Sequence, residues 1–142
     1  MTFTASLLPI VDELLALISV PSGITKDGSG SAPVVHAPDT LYGWPVRQTP
    51  RAEGDGSLDD SRFTLRLAWA VSGKLEEDGQ VRLRAVSDLI DAGVQAVLDA
   101  VRVHRQGGTW EWLQVDAVTY DAIVTFDVRA AWIDLSGYRL IG

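Results

Sequence analysis

The sequence predicts an α+β fold: a small antiparallel or mixed sheet with a long helix packed on one face, plus an N-terminal helix. The hydrophobic period changes twice in the second half of the chain. Apolar residues alternate through Phe63–Val71, follow helical spacing through Val81–His104, and alternate again after Gly107 and Gly108. Alternation gives a strand one apolar face, whereas spacings of three and four give a helix an apolar stripe. Because a half-polar strand needs cover on one face only, this order predicts a sheet packed under the helix.

The central strand and the long helix each have a defined apolar face. In the strand this face consists of Phe63, Leu65, Leu67, Trp69 and Val71, and in the helix of Val86, Leu89, Ile90, Val94, Val97, Leu98 and Val101. The acidic residues 76–78 precede the helix, and basic residues lie near its end. The helix dipole favours negative charge at the start of a helix and positive charge at its end, so both groups are favourably placed.

The segment Ser6–Ile18 predicts a second, amphipathic helix. Ser6 is a suitable N-cap, Pro9 is tolerated in the first turn, and Pro21 follows shortly after the predicted end. The predicted apolar stripe consists of Leu7, Leu8, Val11, Leu14, Leu15 and Ile18. All 142 residues are predicted to form one domain, 1–142.

The middle of the chain, residues 23–61, is rich in Gly, Pro, Ser and Asp. Within it, Pro33–Ala37 is predicted to form a short strand. The aromatic residues of Thr40–Val46 are expected to pack against the core, although Pro45 restricts this segment to an edge or a turn. The nearly wholly polar segment Gln48–Asp60 predicts a mobile loop.

The end of the chain predicts a hairpin of two strands, Trp110–Tyr120 and Ile123–Ile133, with a tight reversal at Tyr120–Ala122. One face of the first strand carries Trp110, Trp112, Val118 and Tyr120, and the other carries Leu113, Val115 and Ala117. A strand that is apolar on both faces needs cover on both sides. Either a neighbouring subunit or the N-terminal segment Ser6–Ile18 could provide the second cover.

Composition narrows the possible functions. The formal net charge is -7, from 12 basic and 19 acidic residues, and this disfavours general binding to phosphate backbones. Such an acidic surface suits a conduit through which DNA slides without sticking, and it also simply favours solubility. The chain has no cysteine, which excludes disulfides and thiolate chemistry. No apolar stretch is long enough to predict a membrane span.

The two histidines do not predict a catalytic or metal site. His36 lies near Asp39 in a predicted loop, and a structural role is the favoured interpretation of this pair. His104 is placed to interact with the negative end of the long helix. Arg66 and Arg129 lie on strand faces. An ion pair accounts for an arginine at such a position as well as a catalytic role does.

Two loop motifs resemble ligand-binding loops but do not predict a binding site. The segment Lys26–Ser31 is glycine-rich but lacks the ending of a phosphate-binding loop, so a flexible loop is predicted. Asp55, Asp59 and Asp60 lack the ligand spacing of a calcium-binding loop. The sequence therefore predicts a protein that is not an enzyme and has no catalytic residue, metal ligand or cofactor.

The layout resembles the tail terminator proteins of long-tailed bacteriophages, also called tail-completion or minor tail proteins. The stretches that carry the resemblance are Ser6–Ile18, Arg62–Gly73, Ala85–Val101 and Trp110–Ile133. The resemblance implies a virion protein, assembled in the host cytoplasm, that forms a usually hexameric ring on the head-proximal end of the tail tube. Such a ring ends tube polymerisation and joins the tail to the neck connector of the head, while DNA passes through its lumen.

Two alternatives remain open from the sequence. One is another joint of the virion, such as a head-completion or stopper protein. The other is a small cytoplasmic ligand-binding domain or enzyme with a pocket between helix and sheet. On the ring hypothesis, the candidate contacts to neighbouring subunits or partners are Trp110, Trp112, Tyr120, Asp121, Trp44, Tyr42, Arg51, Asp59 and Asp60.

Overall fold

The computed structural model describes residues 8–29, 32–33, 37–50, 61–72, 79–104, 110–125 and 128–139. Within these residues the helices are α1 (Leu8–Leu17) and α2 (Gly79–His104). The strands are β1 (Thr25–Gly28), β2 (Thr40–Pro50), β3 (Ser61–Ser72), β4 (Trp110–Thr125) and β5 (Val128–Arg139). Both predicted helices are confirmed within a few residues, whereas Ser6 and Leu7 lie outside the described residues.

The strands form one sheet in the order β1-β2-β3-β5-β4. β1 and β2 are parallel, and the other neighbouring strands are antiparallel. The predicted α+β fold is therefore confirmed, and the sheet is of the mixed kind.

Both helices pack on the same face of this sheet. α1 lies over β1 and β2, and α2 lies over β3, β4 and β5. The strand face that alternation predicts lies in this core, because Leu65, Leu67 and Trp69 are at most 3% exposed. The helices contribute Ile10, Val11, Leu14, Leu15, Ile18, Ile90, Val94, Val97 and Val101 to the same core. Each such fully buried side chain contributes about 1.5–3 kcal/mol to folding, so this layer stabilises the domain.

α2 approaches the sheet closely where a glycine faces an indole ring. A Cβ atom built on Gly93 would overlap the ring atoms of Trp69. The missing side chain therefore allows the backbone of α2 to lie against the indole. One residue of the predicted α2 stripe is misplaced, since Leu89 is 53% exposed.

The prediction of a flexible loop at Lys26–Ser31 is wrong for its first half, because β1 occupies Thr25–Gly28 and pairs in parallel with Thr40–Gly43. Ser29 follows the strand, and Gly30 and Ser31 lie outside the described residues. Its first three side chains are exposed, so β1 has no apolar alternation from which a strand could be recognised. α1 packs over it, and a Cβ on Gly28 would collide with Asp12 of α1. Tertiary contact thus fixes a strand that local pattern does not indicate.

The middle segment is more regular than predicted. β2 extends to Pro50, so Gln48 to Pro50 form part of a strand, and residues 51–60 of the predicted loop lie outside the described residues. Pro45 lies at a register shift between β2 and β3, just beyond Gly43, the last residue paired with β1. A missing N–H is tolerated at such a position. In the predicted short strand 33–37, Pro33 and Ala37 are not in a strand, and residues 34–36 lie outside the description.

The predicted reversal at Tyr120–Ala122 is also wrong. These residues belong to β4, which continues to Thr125, and β5 runs from Val128 to Arg139. The ladder between β4 and β5 has register shifts, including one between Val115 and Ala117 and another between Thr119 and Ala122. An inserted residue reverses the alternation of faces. For this reason Val118 packs with the helix-covered core instead of sharing a face with Trp112.

Candidate interaction surface

The face of the sheet opposite the helices is here called the helix-free face. One half of it is compact and rich in aromatic residues and alanine. Ala68 and Ala130 are fully buried, and beside them Tyr42 and Trp44 are each 6% exposed. The backbone N–H of Ala37 donates a hydrogen bond of 2.6 Å to the hydroxyl of Tyr42. The segment before β2 therefore contributes cover to this half of the face, whereas α1, which the sequence offered as a second cover for the last hairpin, lies over β1 and β2 on the same face as α2.

An ion pair lies at the centre of the helix-free face. Arg66 of β3 stands opposite Asp134 of β5, and its Nε and Nη2 donate to the two carboxylate oxygens at 2.6 and 3.3 Å. The guanidinium carbon lies 4.9 Å from the ring centroid of Trp132. The two charged side chains are 31% and 24% exposed, so the pair is only partly withdrawn from water. The ion-pairing interpretation of Arg66 is thereby confirmed.

A second polar cluster lies near the β4 side of this face. Ser136 donates to Asp116 at 3.0 Å and accepts a hydrogen bond from Arg62 at 3.1 Å. Arg62 also lies 5.9 Å from the ring centroid of Trp112, which meets Tyr138 edge to face at 5.1 Å. The register shift of β4 next to Asp116 brings this carboxylate to Ser136, as bulges commonly redirect side chains.

Sequence reasoning missed Asp134 and Ser136 because it ended the last strand at Ile133. The signal was present, since Ile133 and Leu135 continue the apolar alternation with polar residues between them. Asp116 carried no signal of its own, because its position depends on an irregularity of the β4–β5 ladder.

The sheet has two open edges within the described residues. No described strand pairs with the outer side of β4. On the opposite side, β1 is the last described strand, and beyond Gly43 no described strand pairs with the outer side of β2. An exposed apolar side chain lies at each edge: Tyr120 on β4 is 52% exposed, and Val46 on β2 is 50% exposed.

The structure describes the side chains of four of the nine candidate contact residues. Tyr120 is exposed and Trp112 is partly exposed, whereas Tyr42 and Trp44 are nearly covered within one chain. Trp110 and Asp121 belong to β4, but their side chains lie outside the description. The remaining candidates also lie outside the described residues and are Arg51, Asp59 and Asp60. All nine stay predictions as contacts.

A groove of about 420 Å³ lies between the end of α1 and the C-terminal half of α2. It is lined by Leu17, Ser19, Ala96, Asp99, Ala100, Val103 and His104. His104 is in the last turn of α2, where the sequence placed it. Among the described residues, no three His, Cys, Asp or Glu side chains are grouped as metal ligands would be. The helices in the described part are not long and apolar enough to cross a membrane.

Comparison with models of known protein families gives no match, and no curated protein matches the chain.

Proposed function

We propose that the chain is a structural protein of a long-tailed bacteriophage and acts as its tail terminator. In this role, copies assemble into a ring, hexameric by the resemblance, on the head-proximal end of the tail tube. The ring occupies the surface to which the next tube subunit would bind, and it offers its other side to the neck connector. The proposed role is assembly, without catalysis or a cofactor.

The observation that carries the proposal is the order of the elements. A short helix precedes a central strand, a long helix and a terminal antiparallel hairpin, which is the layout that the resemblance implies. The strand β1 and the extended β2 are additions to that layout.

Two further features support an assembling protein. The sheet is open at both edges within the described residues, and open edges can pair with strands of another chain. The helix-free face carries Trp, Tyr and Arg side chains, which are enriched in protein interfaces. The net charge of -7 also suits a lumen through which DNA moves without binding.

Deletion of the gene from the phage genome that encodes it tests this proposal. We expect tails of uncontrolled length that do not join heads, and complementation with the wild-type gene should restore joined tails of uniform length. Tails of normal length that stay unjoined would favour a head-completion or stopper protein instead. Normal, joined tails in the deletion would refute a role in the virion joint.

A further inference from the structure

The two edges of the sheet that are open within the described residues have opposite strand directions. β1 and β2 run in one direction, β3 runs against them, β5 runs with them, and β4 runs against them again. A second copy can therefore be placed beside the first with its helices on the same side. Its β1–β2 edge then meets β4 of the first copy in antiparallel orientation.

Each open edge carries an exposed apolar side chain. Within the described residues four large apolar side chains are at least half exposed, namely Val46, Leu89, Val103 and Tyr120. Tyr120 lies on β4, and Val46 lies on the part of β2 beyond its pairing with β1. An edge-to-edge contact between two copies would withdraw both from water, which is the main favourable term in association.

The charges on the strands favour pairing of a β4 edge with a β1–β2 edge over pairing of two β4 edges. The β4 sequence contains Glu111, Asp116 and Asp121 and no basic residue. Antiparallel self-pairing centred on Asp116 would set Glu111 opposite Asp121, and like charges directly opposite destabilise a strand pair. The other edge carries exposed Lys26, Asp27 and Arg47, two basic residues against one acidic residue, and this balance complements an acidic strand better than a second acidic strand does.

We infer that the β4 edge of one copy binds the β1–β2 edge of the next copy in antiparallel orientation. This contact uses two different surfaces, so it is heterologous and repeats from copy to copy until a ring closes. The inference deepens the proposed function, because it rests on the proposed ring and names the surfaces that build it.

Cross-linking tests this contact cleanly, because the chain has no cysteine of its own. The test variant combines Lys26→Cys with Thr119→Cys, two exposed positions on opposite edges. A short bismaleimide should join successive copies into a ladder of covalent multimers. The matched control combines Lys26→Cys with Asp91→Cys, an exposed position on α2, and should give no ladder.

Substitution at the edges provides an independent measurement on the full-length protein. Val46→Asp and Tyr120→Asp should each raise the concentration for half-assembly roughly tenfold or more in mass photometry. Each replaces an exposed apolar side chain, which the inferred contact would bury, with a charged one. Leu89→Asp, at a side chain of similar exposure on α2, should leave assembly unchanged. Circular dichroism checks that all three variants fold.

The outcomes separate this inference from the proposed function. Dimers from Thr119→Cys alone would show self-pairing of β4 and overturn the inference. A wild-type ring in which the 26/119 pair gives no ladder would also overturn it, while leaving the tail-terminator proposal intact. A ladder in vitro combined with normal, joined tails in the deletion would uphold the contact and refute the proposed function. A wild-type protein that stays monomeric at all concentrations would contradict both.

Discussion

The two faces of the sheet use the same alternation of residues for different chemistry. On the helix-covered face, Leu65 and Leu67 of β3 meet Ile133 and Leu135 of β5, and each is at most 1% exposed. One residue further along on the opposite face, Arg66 meets Asp134, and both remain partly in water. Hydrophobic burial is strong when it is complete, whereas a solvated ion pair contributes little. Complete burial therefore makes the helix-covered face the main source of stability, whereas the charged pair of the helix-free face stays in contact with water.

The largest effect should come from a cavity in the helix-covered face. Leu67 is fully buried, so Leu67→Ala should lower the free energy of unfolding by about 2–5 kcal/mol. Thr64→Ala, at a partly exposed position on the helix-free side of the same strand, should change it by less than about 0.5 kcal/mol. Equilibrium urea unfolding measures both variants. Equal losses would contradict the assignment of stability to one face.

The next effect concerns the close approach of α2 to the same face. Gly93→Ala should destabilise the protein by about 1–3 kcal/mol, because the added methyl group overlaps Trp69. Helix propensity alone predicts the opposite sign, a gain of about 1 kcal/mol. Combining Gly93→Ala with Trp69→Leu should recover part of the loss relative to the sum of the two single variants. Stabilisation by Gly93→Ala alone would show that the helix does not lie against the indole.

The smallest effect should come from the ion pair of the helix-free face. A double-mutant cycle with Arg66→Ala and Asp134→Ala should give a coupling of about 1 kcal/mol, since the pair is bidentate but partly exposed. The matched cycle is on α2, where Arg102 and Asp99 are 70% and 56% exposed, and it should give about 0.3 kcal/mol. Added salt should reduce both couplings. A coupling between Arg66 and Asp134 as large as the loss of unfolding free energy in Leu67→Ala would contradict the difference between the two faces.

Local errors in the sequence prediction have tertiary causes. The reversal at Tyr120–Ala122 was wrong because β4 contains register shifts, which let the chain pass through a turn-like sequence without turning. β1 was missed because its strand conformation depends on parallel pairing with β2 and on contact with α1. Neither influence leaves a periodic pattern in the residues themselves.

The candidate surface was predictable only in part. The alternation through β3 placed Arg66 opposite the core, but its partner Asp134 is 68 residues away. The sequence predicts that the aromatic residues Tyr42 and Trp44 pack against the core, and it also names them as candidate contacts. Both are buried within one chain, but only the pairing of β2 with β3 shows that they lie on the helix-free face and not in the helix-covered core.

The sequence by itself determined the α+β class, both helices, the buried face of β3 and the acidic charge. The first three depend on the spacing of apolar residues, which is local in the chain. The charge is a sum over the composition. The tertiary structure alone decided the strand order, the parallel β1, the length of the final hairpin and the polar clusters of the helix-free face. Each of these features joins residues that are far apart in the chain through backbone pairing. The register of that pairing cannot be deduced from one segment considered alone.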